Sequence, residues 1–310
     1  MKKFLMLFLA FSIVALAKEV TVSIVPQKYF VEKIAKDKIS VNVMVRPGFE
    51  PATYEPKASQ MRKLASSSAY FSIGVPFEKV WLEKFKNANK NLLIVDTSKS
   101  IEKIAMVAHH HEGEHQHHED EEHEAHEHHD HDEHAHHEEE EHHEHEHGSL
   151  DPHIWLDPLL VKIQAKTIYE TLVKIDSQNK EFYKTNYEEF IKEIDSLYIE
   201  IKNILKPVKG KTFMVFHPAW GYFAKRFDLK QMPIEIEGKE PKPSQLANLI
   251  EEAKEHNIKV VFVAPEFSQK SAKVIAKSID GVAVAMSPLK ANWSQNLIET
   301  AKQIVSSYNK

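Results

Sequence analysis

Between His109 and His147 the chain carries eighteen of its twenty-one histidines and seventeen acids, with no Lys or Arg. A stretch of that composition has too little apolar surface to pay for its own ordering, so it cannot contribute to a core. Whatever folds here must fold on either side of it. Neutral imidazole is a borderline ligand for Zn, Cu, Ni and Fe, and the interleaved carboxylates raise the local negative charge that draws cations in. The composition predicts a disordered, metal-collecting loop over 109–148, with His109, His110, His111, His115, His117 and His118 among its auxiliary ligands. The plain alternative is a solvated acidic linker.

The overall charge of -6 hides an asymmetry. Without the tract, 40 bases face 29 acids, leaving the remainder at +11. Those bases are scattered, mostly Lys, with Arg only at 46, 62 and 226. Nucleic-acid binding would need clustered bases interleaved with aromatics, so it is not expected.

Lys2 and Lys3, the apolar run Phe4 to Val14, and Ala15-Leu16-Ala17 make the three parts of an export signal. The signal is expected to be residues 1–17, with a mature chain starting at Lys18. The apolar run is short for a membrane span. The chain has no cysteine, which excludes disulfides, thiolate ligands and a lipidated N-terminal Cys. The expected location is the periplasm, as a soluble protein.

Short β-rich runs alternate with helical patterns on both sides of the tract, which argues for α/β layers with mostly parallel sheets. Strands are expected at 19–25, 41–45, 69–74 and 92–96, then at 212–216, 259–264 and 282–286. Helices are expected at 29–35, 59–64 and 77–85, and, after the tract, at 158–175 and from about 178 to 205. Further helices are expected at 220–227, at 244–255 behind a Ser244 cap, at 270–279 and at 293–308, with a loop at 233–243. In the long helix, Phe182, Tyr187, Phe190, Ile194, Leu197, Ile201 and Leu205 form the apolar stripe. At 1.5 Å per residue that helix spans roughly 40 Å, enough to act as a spine between two lobes. The expected division is an N-terminal lobe at 18–157, a helical connection at 158–209 and a C-terminal lobe at 210–310.

Outside the tract three histidines remain. His256 follows a helix end, which suits the helix dipole. His153 lies in Leu150-Asp-Pro-His-Ile-Trp-Leu-Asp-Pro158, a rigid turn into a helix. His217 closes a strand, and ligands of open α/β sheets lie beyond strand C-termini. One histidine per lobe at such positions is the arrangement of a metal held in an interlobe cleft; two buried, hydrogen-bonded histidines are the bland reading.

Three segments resemble signatures of the zinc-binding (ZnuA-like) substrate-binding proteins of ABC importers. They are Pro47-Gly-Phe-Glu-Pro-Ala-Thr-Tyr-Glu-Pro56, Asp151-Pro-His-Ile-Trp-Leu-Asp-Pro158 and Phe216-His-Pro-Ala-Trp-Gly-Tyr222. The resemblance covers nearly the whole mature chain. It implies two α/β lobes joined by a rigid spine helix, one Zn²⁺ as transported ligand in the cleft, a monomer, and an ABC permease in the inner membrane as partner. It also implies no enzymatic activity, and His153 and His217 match two family ligands.

The family's first motif usually reads Pro-His-x-Tyr-Glu-Pro, and Ala52 stands where that histidine belongs. Ser287 occupies the nearest place to an acid that some relatives use. Zinc is usually four-coordinate, so the site needs further donors. Glu50 or Glu55, Glu266, or a tract histidine such as His147 are the candidates. A flexible tract of about 40 residues has an end-to-end spread of roughly 35 Å, so reach does not forbid the last. Affinity is expected to fall as pH drops through about 6.5, where protons compete for imidazole. Two other classes stay in view. A periplasmic zinc or transition-metal buffer would act without a permease. A metallohydrolase would use Glu266 as base, but no H-E-x-x-H or comparable motif supports it.

Overall fold

The computed structural model describes residues 18–106, 150–236 and 238–309. The export signal and the His-rich tract lie outside the described residues. Among those described, the strands form two four-stranded, all-parallel sheets.

The first sheet comprises β1 (Lys18–Val22), β2 (Ile39–Val43), β3 (Ala69–Ser72) and β4 (Leu93–Asp96) in the order β2-β1-β3-β4. The second comprises β5 (Thr212–Val215), β6 (Lys230–Pro233), β7 (Val260–Val263) and β8 (Val282–Ala285) in the order β6-β5-β7-β8. Parallel strands covered on both faces read as continuous apolar runs. The central strands β3, β5 and β7 are buried at every position, whereas the edge strands β4 and β8 are partly exposed. In each sheet the chain steps first to one side of its opening strand and then to the other. That creates a switch point between β1 and β3 and another between β5 and β7, the place where α/β sheets open a crevice.

The covering helices of the first half are α1 (Val25–Ala35), α2 (Ala58–Ser66) and α3 (Pro76–Ala88). Next come α4 (Pro158–Ile175) and α5 (Lys180–Leu205), followed in the second half by α6 (Gly221–Arg226), α7 (Pro243–Glu255), α8 (Gln269–Ser278) and α9 (Trp293–Ser307). The 26 residues of α5 make a rod of about 39 Å. Its buried stripe is Tyr183, Asn186, Phe190, Ile194, Leu197, Ile201 and Leu205. Two expectations shift here. Phe182 lies off the stripe and is exposed beneath Lys38, and Tyr183 takes the inward place. Tyr187 is half-buried, stacked on Tyr169.

α5 packs on its neighbour α4, on α1 from the first half and on α9 from the second. Asn186 donates to the Ile34 carbonyl at 3.0 Å, and Tyr29, Phe30, Phe190 and Trp293 form one aromatic cluster. A single hydrophobic core therefore runs from β1 through α5 to α9, with a smaller core behind the second sheet around Met214, Ile234, Val261 and Ile275.

Two local starts differ from expectation. β6 was not foreseen, because Lys-Gln-Met-Pro lacks β-branched residues and ends in a proline. Helix α7 begins at Pro243 rather than behind a Ser244 cap: the Lys242 N–H donates to the Gln245 side chain at 2.8 Å, and proline suits a first helical position. No helix among the described residues is long and apolar enough to cross a membrane.

Candidate metal centre in the cleft

The C-terminal ends of the two sheets face one cleft. The turn after β3 contributes Val75 and Pro76; the loop after β2 contributes Glu50, Pro51 and Ala52. The second half contributes His217 after β5, Glu266 and Phe267 after β7, and Pro288 and Leu289 after β8. The cleft is narrow, with room of about 60 Å³ for water-sized molecules, and His153 joins from the segment preceding α4.

His153 is built by its neighbours in sequence. Asp151 folds back so that one carboxylate oxygen accepts both the His153 N–H at 2.8 Å and its Nδ1 at 2.7 Å. Pro152 stiffens the step between them, Ile154–Leu156 make a turn of 3₁₀ helix, and Asp157 caps α4 by accepting from the Leu159 N–H at 2.8 Å. The second half then clamps this segment. Arg226 makes a forked pair with Asp157 at 2.8–2.9 Å, and the Tyr222 hydroxyl donates to the Asp151 carbonyl at 3.0 Å. Trp155 donates to the Pro288 carbonyl, and Trp293 donates to the Trp155 carbonyl. Gly221 opens α6 against this segment, and a Cβ there would stand 2.9 Å from Asp151 Oδ2. The glycine is what lets the second half approach the carboxylate that orients His153.

His217 is built by strand register. β5 and β6 pair in parallel with Thr212 opposite Lys230 and Val215 opposite Pro233. Continued by two residues, the same offset sets His217 beside Glu235, whose N–H donates to the Phe216 carbonyl. The His217 Nδ1 meets Glu235 Oε2 at 2.6 Å, and its ring stacks on Phe267 at 4.4 Å between centroids.

Each ring thus gives its Nδ1 to a buried carboxylate. In a neutral ring whose Nδ1–H donates to the carboxylate, Nε2 keeps its lone pair. The two rings lie 5.3 Å apart between centroids, at an interplanar angle of 72°. Burial pushes the Glu50 carboxyl above its ordinary range; His217 pulls it back and Glu235 adds to the rise. Glu266 has one oxygen within a weak 3.3 Å hydrogen bond of Ser287, while the other is buried without a hydrogen-bond partner among the described residues.

The structure therefore brings together His153, His217, Glu50 and Glu266 as lining of one cleft. Glu55 is exposed and lines a neighbouring depression with Arg46, Phe49 and Lys57. Ala52 is at the cleft wall and adds no donor. His256 caps the end of α7 in solvent. His147 and the other tract histidines lie outside the described residues. Among the described residues, no three His, Asp or Glu side chains are gathered closely enough to hold an ion as they stand. Sequence reasoning missed the two orienting acids. Asp151 had a signal, since it sits two residues before His153; Glu235 had none without β6.

The comparisons with known proteins point the same way. Residues 20–307 match the family model of the zinc-uptake complex component A, periplasmic, ZnuA. The high-affinity zinc uptake system protein ZnuA of Bacillus subtilis is 30% identical over 258 residues, covering 82% of this chain and 73% of that protein. A crystal structure of ZnuA is 38% identical, with a TM-score of 0.79 over 94% of this chain and 99% of that one. A ZnuA deletion mutant with zinc bound is equally similar, at 38% identity and a TM-score of 0.79, over 94% of this chain and 98% of that one. With the match running over almost the whole described chain, the protein belongs to the ZnuA family, the periplasmic component A of zinc-uptake complexes, whose transported ligand is zinc.

Proposed function

We propose that this chain is exported, captures Zn²⁺ in the cleft between its two halves through Nε2 of His153 and Nε2 of His217, and passes the ion to an ABC permease. The carrying observation is the pair of imidazoles, one from each half, each with Nδ1 on a carboxylate. The spacing fits the ion. With Zn–N bonds of about 2.0 Å and a tetrahedral angle, two ligating imidazole centroids should stand about 5 Å apart. The observed separation is 5.3 Å. Asp151 and Glu235 are the outer carboxylates that fix such rings and raise their basicity. The walls around them are apolar, so an ion entering the cleft loses bulk water and meets negative groups at reduced dielectric.

The His-rich tract serves as a collector, raising the local ion concentration by multivalent weak capture. Met106, the last described residue before it, lines the cleft, and Leu150 after it is three residues from His153. Zinc titration of the intact chain, of His153→Ala, of His217→Ala and of a chain lacking 112–147 tests this reading. One tight ion should survive loss of the tract and should be lost with either histidine. A chain that retains almost no zinc without its tract would instead be a periplasmic buffer, and tight binding unchanged in both histidine variants would place the site elsewhere.

A further inference from the structure

Among the described residues the cleft lining holds only the imidazoles of His153 and His217, and two nitrogen donors do not complete a zinc shell. We infer that Glu266 supplies a third donor, so that the ion is held by two imidazoles and a carboxylate; this rests on the cleft reading above.

The argument begins with topology. Glu266 follows β7, and His217 follows β5, the strand next to it. The two strand ends are tied where the Phe216 N–H donates to the Phe262 carbonyl at 2.8 Å. The two residues therefore flank the switch point of the second sheet, where a ligand of that sheet belongs. Phe267, next to Glu266, is the residue stacked on the His217 ring.

The second element is the state of the carboxylate. Among the described residues, Glu266 Oε2 is buried and accepts no hydrogen bond, while Oε1 has Ser287 alone at 3.3 Å. A carboxyl oxygen buried without a donor is costly, and the large majority of buried polar atoms in native structures have a partner. Among the described residues no Lys or Arg side chain lines this cleft, and the groups with metal-binding chemistry that share it with Glu266 are the two imidazoles and Glu50. A divalent cation between the rings is the partner that the oxygen lacks. Because the Ser287 contact is weak, little opposes the side-chain rotation that would bring Oε2 onto the ion. Ser287 then holds the second oxygen, as an outer hydrogen bond commonly holds a ligating carboxylate.

A carboxylate in place of an imidazole has a further consequence. It lowers the charge of the bound complex by one and makes the site harder, which narrows its preference for zinc over manganese.

The test uses the full chain, stripped of metal and titrated with Zn²⁺ against a chromophoric chelator. Wild type, Glu266→Gln and His217→Ala are compared, and zinc-edge X-ray absorption counts the imidazoles on the wild-type ion. The inference expects Glu266→Gln to weaken binding by 10-fold or more, with metal-free unfolding unchanged, and two imidazoles on the ion. If Glu266→Gln binds within twofold of wild type while His217→Ala loses the tight ion, Glu266 is not a ligand and the cleft reading stands. If His217→Ala binds like wild type, the cleft reading fails and takes the inference with it. Three imidazoles on the ion would also overturn the inference. Should Glu266→Gln not fold, Glu266→Asp keeps the carboxylate at a shorter reach; it must weaken binding severalfold, and unchanged binding counts against the role.

Discussion

Replacing Asp151 by Asn isolates the contribution of one orienting carboxylate. The change is nearly isosteric and leaves every proposed zinc ligand in place. Asp151 Oδ1 accepts two bonds from the same residue, the His153 N–H at 2.8 Å and Nδ1 at 2.7 Å, and it is 1% exposed, so solvent cannot substitute for it. The asparagine oxygen can still accept one of these bonds, but it carries no charge. Its amide can equally turn and donate to Nδ1, which would move the ring proton to Nε2 and block the lone pair needed by the ion. Loss of an outer partner of this kind costs about 10- to 100-fold in metal affinity. That range corresponds to about 1.4–2.7 kcal/mol, as expected for one charge-assisted bond in a buried setting. Competition titration of metal-free protein with Zn²⁺ measures it, and thermal unfolding of the metal-free variant checks the fold. Affinity within twofold of wild type would refute the claim that Asp151 sets the ring for binding. Glu235→Gln, at the same distance from the other ring, should fall in the same range.

Other perturbations reach the clamp and the buried acids. Gly221→Ala should destabilise the protein by about 1–3 kcal/mol through overpacking and weaken zinc binding severalfold, because the new methyl meets Asp151 Oδ2; unchanged affinity and stability would show that the approach is loose. Arg226→Met strands the buried Asp157 carboxylate and should cost about 3 kcal/mol in urea unfolding, while adding Asp157→Asn should recover part of that loss; strictly additive losses would deny the coupling. Glu78, buried on α3, accepts from the Ile73 and Gly74 N–H groups, and burial raises its carboxyl to about 7. Its ordinary value is 4.5, so between about pH 4.5 and 7 the folded chain holds a proton that the unfolded chain has lost. Stability from this group is therefore present at low pH and lost as pH rises through that window, by up to about 3 kcal/mol. Glu78→Gln should remove that slope, so the difference in Tm between variant and wild type should grow from pH 5 to pH 8; a constant difference would contradict it.

Much of this molecule can be read from local pattern. The buried strands are short runs of Val, Ile and Phe, and the α4 limits come directly from Asp157-Pro158 and the break after Ile175. The two cleft histidines are legible because each sits where a strand or a proline-stiffened turn ends. What escapes is whatever depends on pairing across sequence. β6 is polar at its start and ends in proline, so only its partner β5 makes it a strand, and with β6 goes Glu235. The misplacement of Phe182 has a similar cause. Two adjacent aromatics at the start of α5 satisfy almost the same periodicity, and Tyr183 goes inward because its hydroxyl can reach Asp176, which a phenylalanine cannot. Separating Glu50 from Glu55 also needs three dimensions: they share one depression, but only Glu50 also reaches the cleft.

The chain leaves the first half at Ala105 and returns at Leu150, and these two residues form an antiparallel bridge. The Asp151 N–H extends the pairing to the Ile104 carbonyl at 2.9 Å, and the Tyr222 hydroxyl holds Ile104 from the other side. Exit and entry are thus stitched together before any insertion is considered. A turn of two to five residues would bridge such a pair, and lengthening what lies between costs only a little entropy with each doubling. Evolution can consequently grow, shrink or recompose the segment at this junction while the architecture on either side goes on folding undisturbed.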